Sequence, residues 1–278
     1  MSDLVTKKPT VAQFLGSVSV KKYVEGVLKD RAGQFVTSLV SMANLTPGLR
    51  NCDPETLMYC GLKAASLDLP LDNNLGFAYA VPYGKEATFQ IGYRGFVQLA
   101  MRTGQYKSMN VVNIHEGELI SWDPFTEEIE LEIMQDQEAR AKLPIIGYAS
   151  VFILLNGFKK VSYWPTERVE AHARKFSKSF NNGPWKSDYN AMARKTVLKD
   201  MLNHWGPTSV EVATAVKFDQ SVIKHDEGGN EYPEYVDSTS EEVHALPESN
   251  IDAEFRLAQE AKAESLRMDA EILAKEGK

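Results

Sequence analysis

Apolar residues recur at helical spacing from Val11 to Leu28 and again from Arg31 to Leu45, so the chain is expected to open on two helices. Asp53 followed by Pro54 is a good N-cap and first-turn pair, opening a third helix that runs to about Ser66. Asp72 to Gly76 reads as a turn. Phe77–Tyr83 and Ala87–Ile91 read as short strands, a hairpin around Gly84-Lys85 with Pro82 at the end or edge of its strand. A helix follows, then alternating strands over Tyr106–His115 and Glu128–Ile133. Ile145–Leu155 is almost continuously apolar, which predicts a central strand, and Phe158–Tyr163 pairs with it across Asn156-Gly157. Further helices are expected from Thr166 to Phe180, from Asp188 to Trp205, and from Ser209 until the pattern fades before Gly228-Gly229. Helices, then strands, then helices give an α+β class with a mainly antiparallel sheet. Residues 1–220 form the core, 221–250 a flexible acidic linker, and 251–278 a C-terminal helical tail rich in Ala, Glu, Lys and Leu.

The helix after Ile91 is apolar except for one stripe. Arg94, Gln98 and Arg102 are each four residues apart and share a face. Gly92 and Gly95 leave the backbone of the preceding turn accessible, and Gly104 stands where a helix C-cap belongs. Two guanidinium groups and an amide in a row suit a polyanion.

Charge sharpens that expectation. The net charge is −7, yet from Asp219 onward there are 16 acidic and 6 basic residues, a balance of −10, which leaves the first 218 residues at +3. Between Asn156 and Trp205, 10 Lys and Arg face 4 Asp and Glu. The acidic tail therefore hides a basic body, the electrostatic footprint of a nucleic-acid binder. No apolar run approaches the roughly 18 residues of a membrane span. The N-terminus lacks the apolar stretch of a secretory signal, so a cytoplasmic location is expected. Cys52 and Cys60, eight residues apart, read as buried free thiols.

Catalytic signatures are missing. The sequence holds neither a GxxxxGK[ST] loop nor GxGxxG, which removes support for ATP-driven work or dinucleotide binding. Its histidines form no HxH or HExxH pattern, so no metal or other cofactor is expected. The Glu/Asp-x-Lys spacing of two-metal nucleases occurs only in the tail, at Glu260-Ala-Lys262 and Glu276-Gly-Lys278. His115-Glu116 reads as a solvent-facing pair at a strand end rather than an acid/base pair. A metal-dependent nucleic-acid enzyme remains the alternative to a protein that works by binding alone.

Basic residues instead form three clusters, around residues 94–107, 174–178 and 194–199. Arg174, Lys175 and Lys178 occupy the last turns of one expected helix, where cations also complement the helix dipole. Arg194, Lys195 and Lys199 share a face of the next, with Met192, Val197 and Met201 on its apolar side. Tyr93, Tyr106, Phe180 and Trp185 stand beside these clusters. Phe180 and Trp185, bracketing Gly183-Pro184, either reach bases or an oligomer neighbour or pack in the core.

Two long blocks carry a resemblance. Gly76-Phe-Ala-Tyr-Ala-Val-Pro-Tyr, continued by Phe89-Gln-Ile-Gly-Tyr-Arg-Gly-Phe-Val-Gln-Leu-Ala-Met-Arg-Thr-Gly104, resembles the signature of the RecT family of phage-encoded single-strand annealing recombinases. Gly183-Pro-Trp-Lys-Ser-Asp-Tyr-Asn-Ala-Met-Ala-Arg-Lys-Thr-Val-Leu-Lys-Asp-Met-Leu202 is similar to that family's C-terminal core block. The resemblance spans residues 40–210 and implies ATP-independent pairing of complementary single strands in homologous recombination. It implies a ring or filament of many subunits, with single-stranded and annealed duplex DNA, a 5′ to 3′ exonuclease and a host single-strand-binding protein as partners. In a DNA groove of that kind, Arg94, Arg102, Lys107, Lys175, Lys178, Arg194, Lys195 and Lys199 are the expected phosphate contacts. Gln98 and Gln105 are expected to assist them, and Trp185 to lie at the strand.

Overall fold

The computed structural model describes residues 8–236 apart from Asn73, Ser179, Asn182, Thr208 and Glu227. All of these belong to the first of two units, Met1–Ser240 and Glu241–Lys278. The expected tail helix, and the linker beyond Val236, lie outside the described residues.

Helices come first: α1 (Val11–Leu15), α2 (Val18–Leu28), α3 (Ala32–Leu45) and α4 (Pro54–Ser66). The single helix expected over Val11–Leu28 is broken at Gly16-Ser17. Thr10 and Gln13 close a capping box, the Thr10 N–H donating to Gln13 at 2.9 Å and the Gln13 N–H to Thr10 Oγ1 at 3.2 Å. After one short helix Gly16 ends the run and the chain restarts at Val18. Asp53 caps α4 as expected, accepting from the Glu55 N–H at 3.1 Å. This helix is almost wholly enclosed, against α1, α3 and three strands.

A hairpin follows, β1 (Ala78–Tyr83) and β2 (Glu86–Ile91), turning at Gly84 with φ +59°. Then come α5 (Tyr93–Arg102), β3 (Tyr106–His115), a hairpin of β4 (Leu119–Asp123) and β5 (Glu128–Leu131), and the short α6 (Gln137–Arg140). The remaining elements are β6 (Ile145–Leu154), β7 (Lys159–Pro165), α7 (Thr166–Phe176), α8 (Pro184–Ser187), α9 (Tyr189–Trp205), α10 (Val210–Phe218) and a last hairpin, β8 (Val222–His225) with β9 (Glu231–Glu234). Among the described residues every strand ladder is antiparallel. The class is α+β, as the pattern predicts, and β6 is the central strand of the order β3-β6-β7.

Alternation along β6 and β7 makes two cores. Tyr148 and Trp164 face the helices, packing with Val169 and Ala173 of α7, Trp185 of α8, and Ala193 and Val197 of α9. Ala149 and Tyr163 face the other way, with Ile114, onto Leu119, Trp122, Ile129 and Leu131 of the β4–β5 hairpin. At the open end of that hairpin Glu118 is buried and receives Arg140 at 2.5 and 3.0 Å, with backbone N–H groups of His115 and Met134 at 2.8 and 3.1 Å. The Arg140 guanidinium holds the Glu118 carboxyl down at about 2. His115, expected at the surface, turns inward instead, its Nδ1 3.0 Å from the Leu143 carbonyl oxygen. Glu116 alone faces solvent.

The linker does not begin at residue 221 as expected. Val222 and Ile223 are fully buried, because β8 lies against α4 and β2, and Ser221 bridges Phe89. Charge locks the hairpin down: Lys63, buried in α4, pairs with Glu231 and sits 3.9 Å from the Phe218 ring centroid, and Lys224 pairs with Glu86.

Asp219, between α10 and β8, joins three parts of the chain. It is fully buried and accepts from the Ile91 N–H at 2.8 Å, from Lys195 at 3.1 Å and from Lys199 at 2.8 Å. Burial alone would raise its pKa, but the two ammonium groups and the backbone N–H outweigh burial and hold it at about 2. Burial pulls Lys195 down from the usual lysine range. The carboxylate has two cations and a donor against one carboxylate for each lysine, so its ionised form governs the cluster. Asp219→Ala is therefore expected to cost about 3–5 kcal/mol, read by urea unfolding, since it strands a buried Lys195. Because its folded pKa lies below the unfolded value of 3.8, Asp219 stabilises fully above about pH 4 and loses that contribution as pH falls towards 2. Asp219→Asn is expected to flatten that acid limb.

Candidate nucleic-acid interface

Helix α5 starts where it does because the chain crosses itself. A Cβ on Gly92 would lie 2.1 Å from the Gly76 carbonyl oxygen, and one on Gly95 2.2 Å from that of Phe77. Both glycines are buried by this crossing, so they do not leave accessible backbone as their sequence position suggests. Gly104 does stand just past the helix with φ +68°, the C-terminal role expected of it.

The polar stripe of α5 forms as the spacing predicts, with Arg94 and Gln98 exposed and Arg102 about a third exposed. It lies over the segment between α4 and β1. Arg94 donates to the Leu75 carbonyl oxygen at 3.2 Å. Arg102 donates to the carbonyl oxygens of Leu67 at 2.7 Å and Asp68 at 2.6 Å. Arg102 is thus a tie between α5 and the end of α4. Gln98 and Arg102 also line an open groove of about 920 Å³ shared with Arg31, Phe35 and Met42 of the N-terminal helices and Leu75.

A second basic surface centres on α9, which packs against α5, α7, β3, β6 and β7. Asp188 caps it by accepting the Ala191 N–H at 3.0 Å. Its three cations do not share one exposed face. Lys195 is buried against Asp219, so its ammonium is out of reach of a strand. Lys199 keeps about a fifth of its side chain exposed beside the same carboxylate. Arg194 is half-buried on the α5 side, where its charge offsets part of the burial that raises the Tyr93 and Tyr148 hydroxyls, the latter to about 12. On the other side stands α7, whose charges are sorted by edge. Glu170 pairs with Arg174 at 2.6 Å on one edge. Arg168, His172 and Lys175 follow one another on the other at i, i+4 and i+7. The Arg168 guanidinium stacks 3.9 Å from the Trp164 ring centroid, and the His172 ring lies between Trp164 at 5.4 Å and Phe176 at 4.6 Å. Burial first, then the charges of Lys199, Arg168 and Lys175, pull His172 down to about 4. The imidazole is neutral at neutral pH within a cationic ridge.

Of the remaining expected contacts, Lys107 is exposed at an irregularity in β3 and Gln105 is exposed just before it. Lys175 is exposed near Phe176, and Lys178 is exposed and donates to the Val236 carbonyl oxygen at 3.2 Å. Trp185 is buried and packs on Phe180 and Tyr189 at ring separations of 6.2 and 5.5 Å. Of the two roles open to it in the sequence, core packing is the one the fold selects. Arg168 and His172 are absent from the sequence-based set, although their spacing with Lys175 was a readable signal. Cys52 and Cys60 are buried free thiols, as expected. Among the described residues, no group of three or more His, Cys, Asp or Glu is placed to hold a metal ion. No described helix is long and apolar enough to cross a membrane.

Comparison with known proteins gives a consistent result. A model of the RecT family matches residues 33–241. The chain is 51% identical over 207 residues to YqaK of Bacillus subtilis (strain 168), covering 74% of this chain and 71% of that protein. It is 26% identical over 224 residues to Protein RecT of Escherichia coli (strain K12), covering 77% of this chain and 81% of that one.

Two substitutions separate tie from surface. Arg102→Ala is expected to lower stability by about 1–3 kcal/mol through loss of two charge-assisted bonds, while Lys175→Ala stays within about 0.5 kcal/mol; chemical denaturation reads both. His172 gives a pH test: its folded value of about 4 lies below the unfolded 6.5, so stability falls as pH drops through that interval. His172→Asn is expected to remove this part of the pH profile.

Proposed function

The chain belongs to the RecT family of single-strand annealing recombination proteins, and from that premise we propose that it pairs complementary DNA strands without ATP, by binding alone. The observation that carries this reading is the meeting of separated basic segments around one helix. Arg194 and Lys199 on α9, Lys175 with Arg168 on α7, and Lys107 on β3 come from distant parts of the sequence onto elements that pack on α9. Side-chain cations spread over several elements hold phosphates irrespective of base, which annealing of arbitrary sequences requires. Arg94, Gln98, Gln105 and Lys178 are the outlying contacts in this reading. Arg102, Lys195 and Trp185 serve to position the others.

Subunits assemble as a ring or filament sharing one strand, and the reaction belongs to phage homologous recombination in the cytoplasm of a bacterial host. Single-stranded and annealed duplex DNA, a phage 5′ to 3′ exonuclease and a host single-strand-binding protein are the partners. No cofactor and no catalytic residue is required, because the product is the strands' own base pairs.

Complementary oligonucleotides mixed with the protein, without ATP and with either EDTA or magnesium, test this. The expected outcome is faster duplex formation in both conditions with intact strands. Magnesium-dependent cleavage would instead establish the nuclease alternative. Lys107→Ala and Lys175→Ala are each expected to weaken binding equally across sequences and to reduce the salt slope by about one.

A further inference from the structure

Trp205 ends α9 with 52% of its surface exposed, whereas Trp164 and Trp185 are buried. Its ring is held from beneath. The Lys160 ammonium sits 3.1 Å from the ring centroid. Lys160 is itself only 6% exposed and pairs with Glu127 at 2.5 Å, so the cation is anchored by charge as well as by the ring. It projects from β7 opposite Phe152, on the side of the sheet that α9 covers. The next residue fixes the exit of the chain. A Cβ on Gly206 would lie 2.6 Å from the Tyr106 hydroxyl oxygen and 2.7 Å from the Leu202 carbonyl oxygen, so glycine lets the backbone press against the start of β3. Gln105 and Lys107, both exposed, flank Tyr106 in the chain.

We propose that the outward face of Trp205 is a stacking platform for one nucleobase of a bound single strand, with Lys107 holding a neighbouring phosphate. This rests on the DNA-binding reading above and adds a base contact to it. Every base offers a π-face, so stacking on an indole gives affinity without sequence preference. An ammonium under the ring already satisfies its negative inner face and sets its orientation. The ring therefore loses little rotational freedom when a base lands on it. A buried lysine spent on orienting a half-exposed tryptophan makes little sense for a side chain that only fills space.

The test uses the whole chain with a thymidine homo-oligonucleotide and an abasic phosphodiester of the same length, followed by fluorescence anisotropy at fixed salt. Trp205→Ala is expected to weaken binding of the thymidine oligomer about 5- to 150-fold while leaving the abasic oligomer unchanged. Trp205→Phe keeps an aromatic face and is expected to retain most of the affinity, but to lose the quenching of tryptophan emission that saturating thymidine oligomer produces in the unaltered protein. Equal affinity of Trp205→Ala for the thymidine oligomer, or an equal loss on both oligomers, would overturn the platform. So would a smaller assembly of Trp205→Ala, and of Trp205→Phe, in the absence of DNA, which would assign the ring to a contact between copies of this chain. If the unaltered protein binds neither oligomer, the DNA-binding reading falls and the platform with it; binding of both without discrimination removes the platform alone.

Discussion

The buried carboxylate of Asp219 is the constraint on which the arrangement around α9 depends. An isolated carboxylate in a dry interior is costly, and this one is tolerated because two ammonium groups and a backbone donor surround it. Those three partners come from β2 and from two successive turns of α9, and Asp219 itself ends α10. One side chain thereby sets the azimuth of α9. Lys195 is drawn inside, Lys199 to the edge, and Arg194 is left outward against α5. With the helix so rotated, its apolar residues Ala193 and Val197 meet Tyr148 and Trp164 on the sheet.

Buried or shielded ion pairs recur at the other joints. Glu118 with Arg140 closes the base of the β4–β5 hairpin, Lys63 with Glu231 seats the last hairpin on α4, and Lys160 with Glu127 lies under Trp205. In each the partners are far apart in sequence and one of them is nearly inaccessible. Such pairs add little net stability compared with apolar packing, but they penalise misplacement strongly, because a wrong register strands a charge. They suit a protein whose basic surface is divided among several elements and is held in one geometry.

Cations here therefore do two jobs. Arg102, Lys195, Lys63 and Arg140 hold the fold together. Lys107, Arg168 and Lys175 are exposed and lie on elements around the same helix. The division on α7 shows the principle at small scale: Glu170 neutralises Arg174, while Arg168, His172 and Lys175 follow one another along a different edge, where the Arg168 charge also offsets part of the burial that raises the pKa of Asp200. A neutral histidine in that ridge separates cations without adding to their repulsion.

Much of this was legible from periodicity and capping. Asp53-Pro54, the alternation of Tyr106–His115, the apolar run of Ile145–Leu154 and the helix behind Asp188 all form where local chemistry puts them, because capping bonds and side-chain period are properties of neighbouring residues. The β4 strand and the β8–β9 hairpin were not, since β4 is short and weakly apolar and β8 is made a strand by α4 and β2 rather than by its own pattern. The polar stripe of Arg94, Gln98 and Arg102 and the basic charge of the body were determined by the sequence alone, as was the family to which the two long blocks belong. Which cations remain at the surface was decided only by the tertiary structure. A lysine's fate depends on whether a carboxylate distant in the chain, such as Asp219 for Lys195, folds back to meet it, and that distance is invisible to any local pattern.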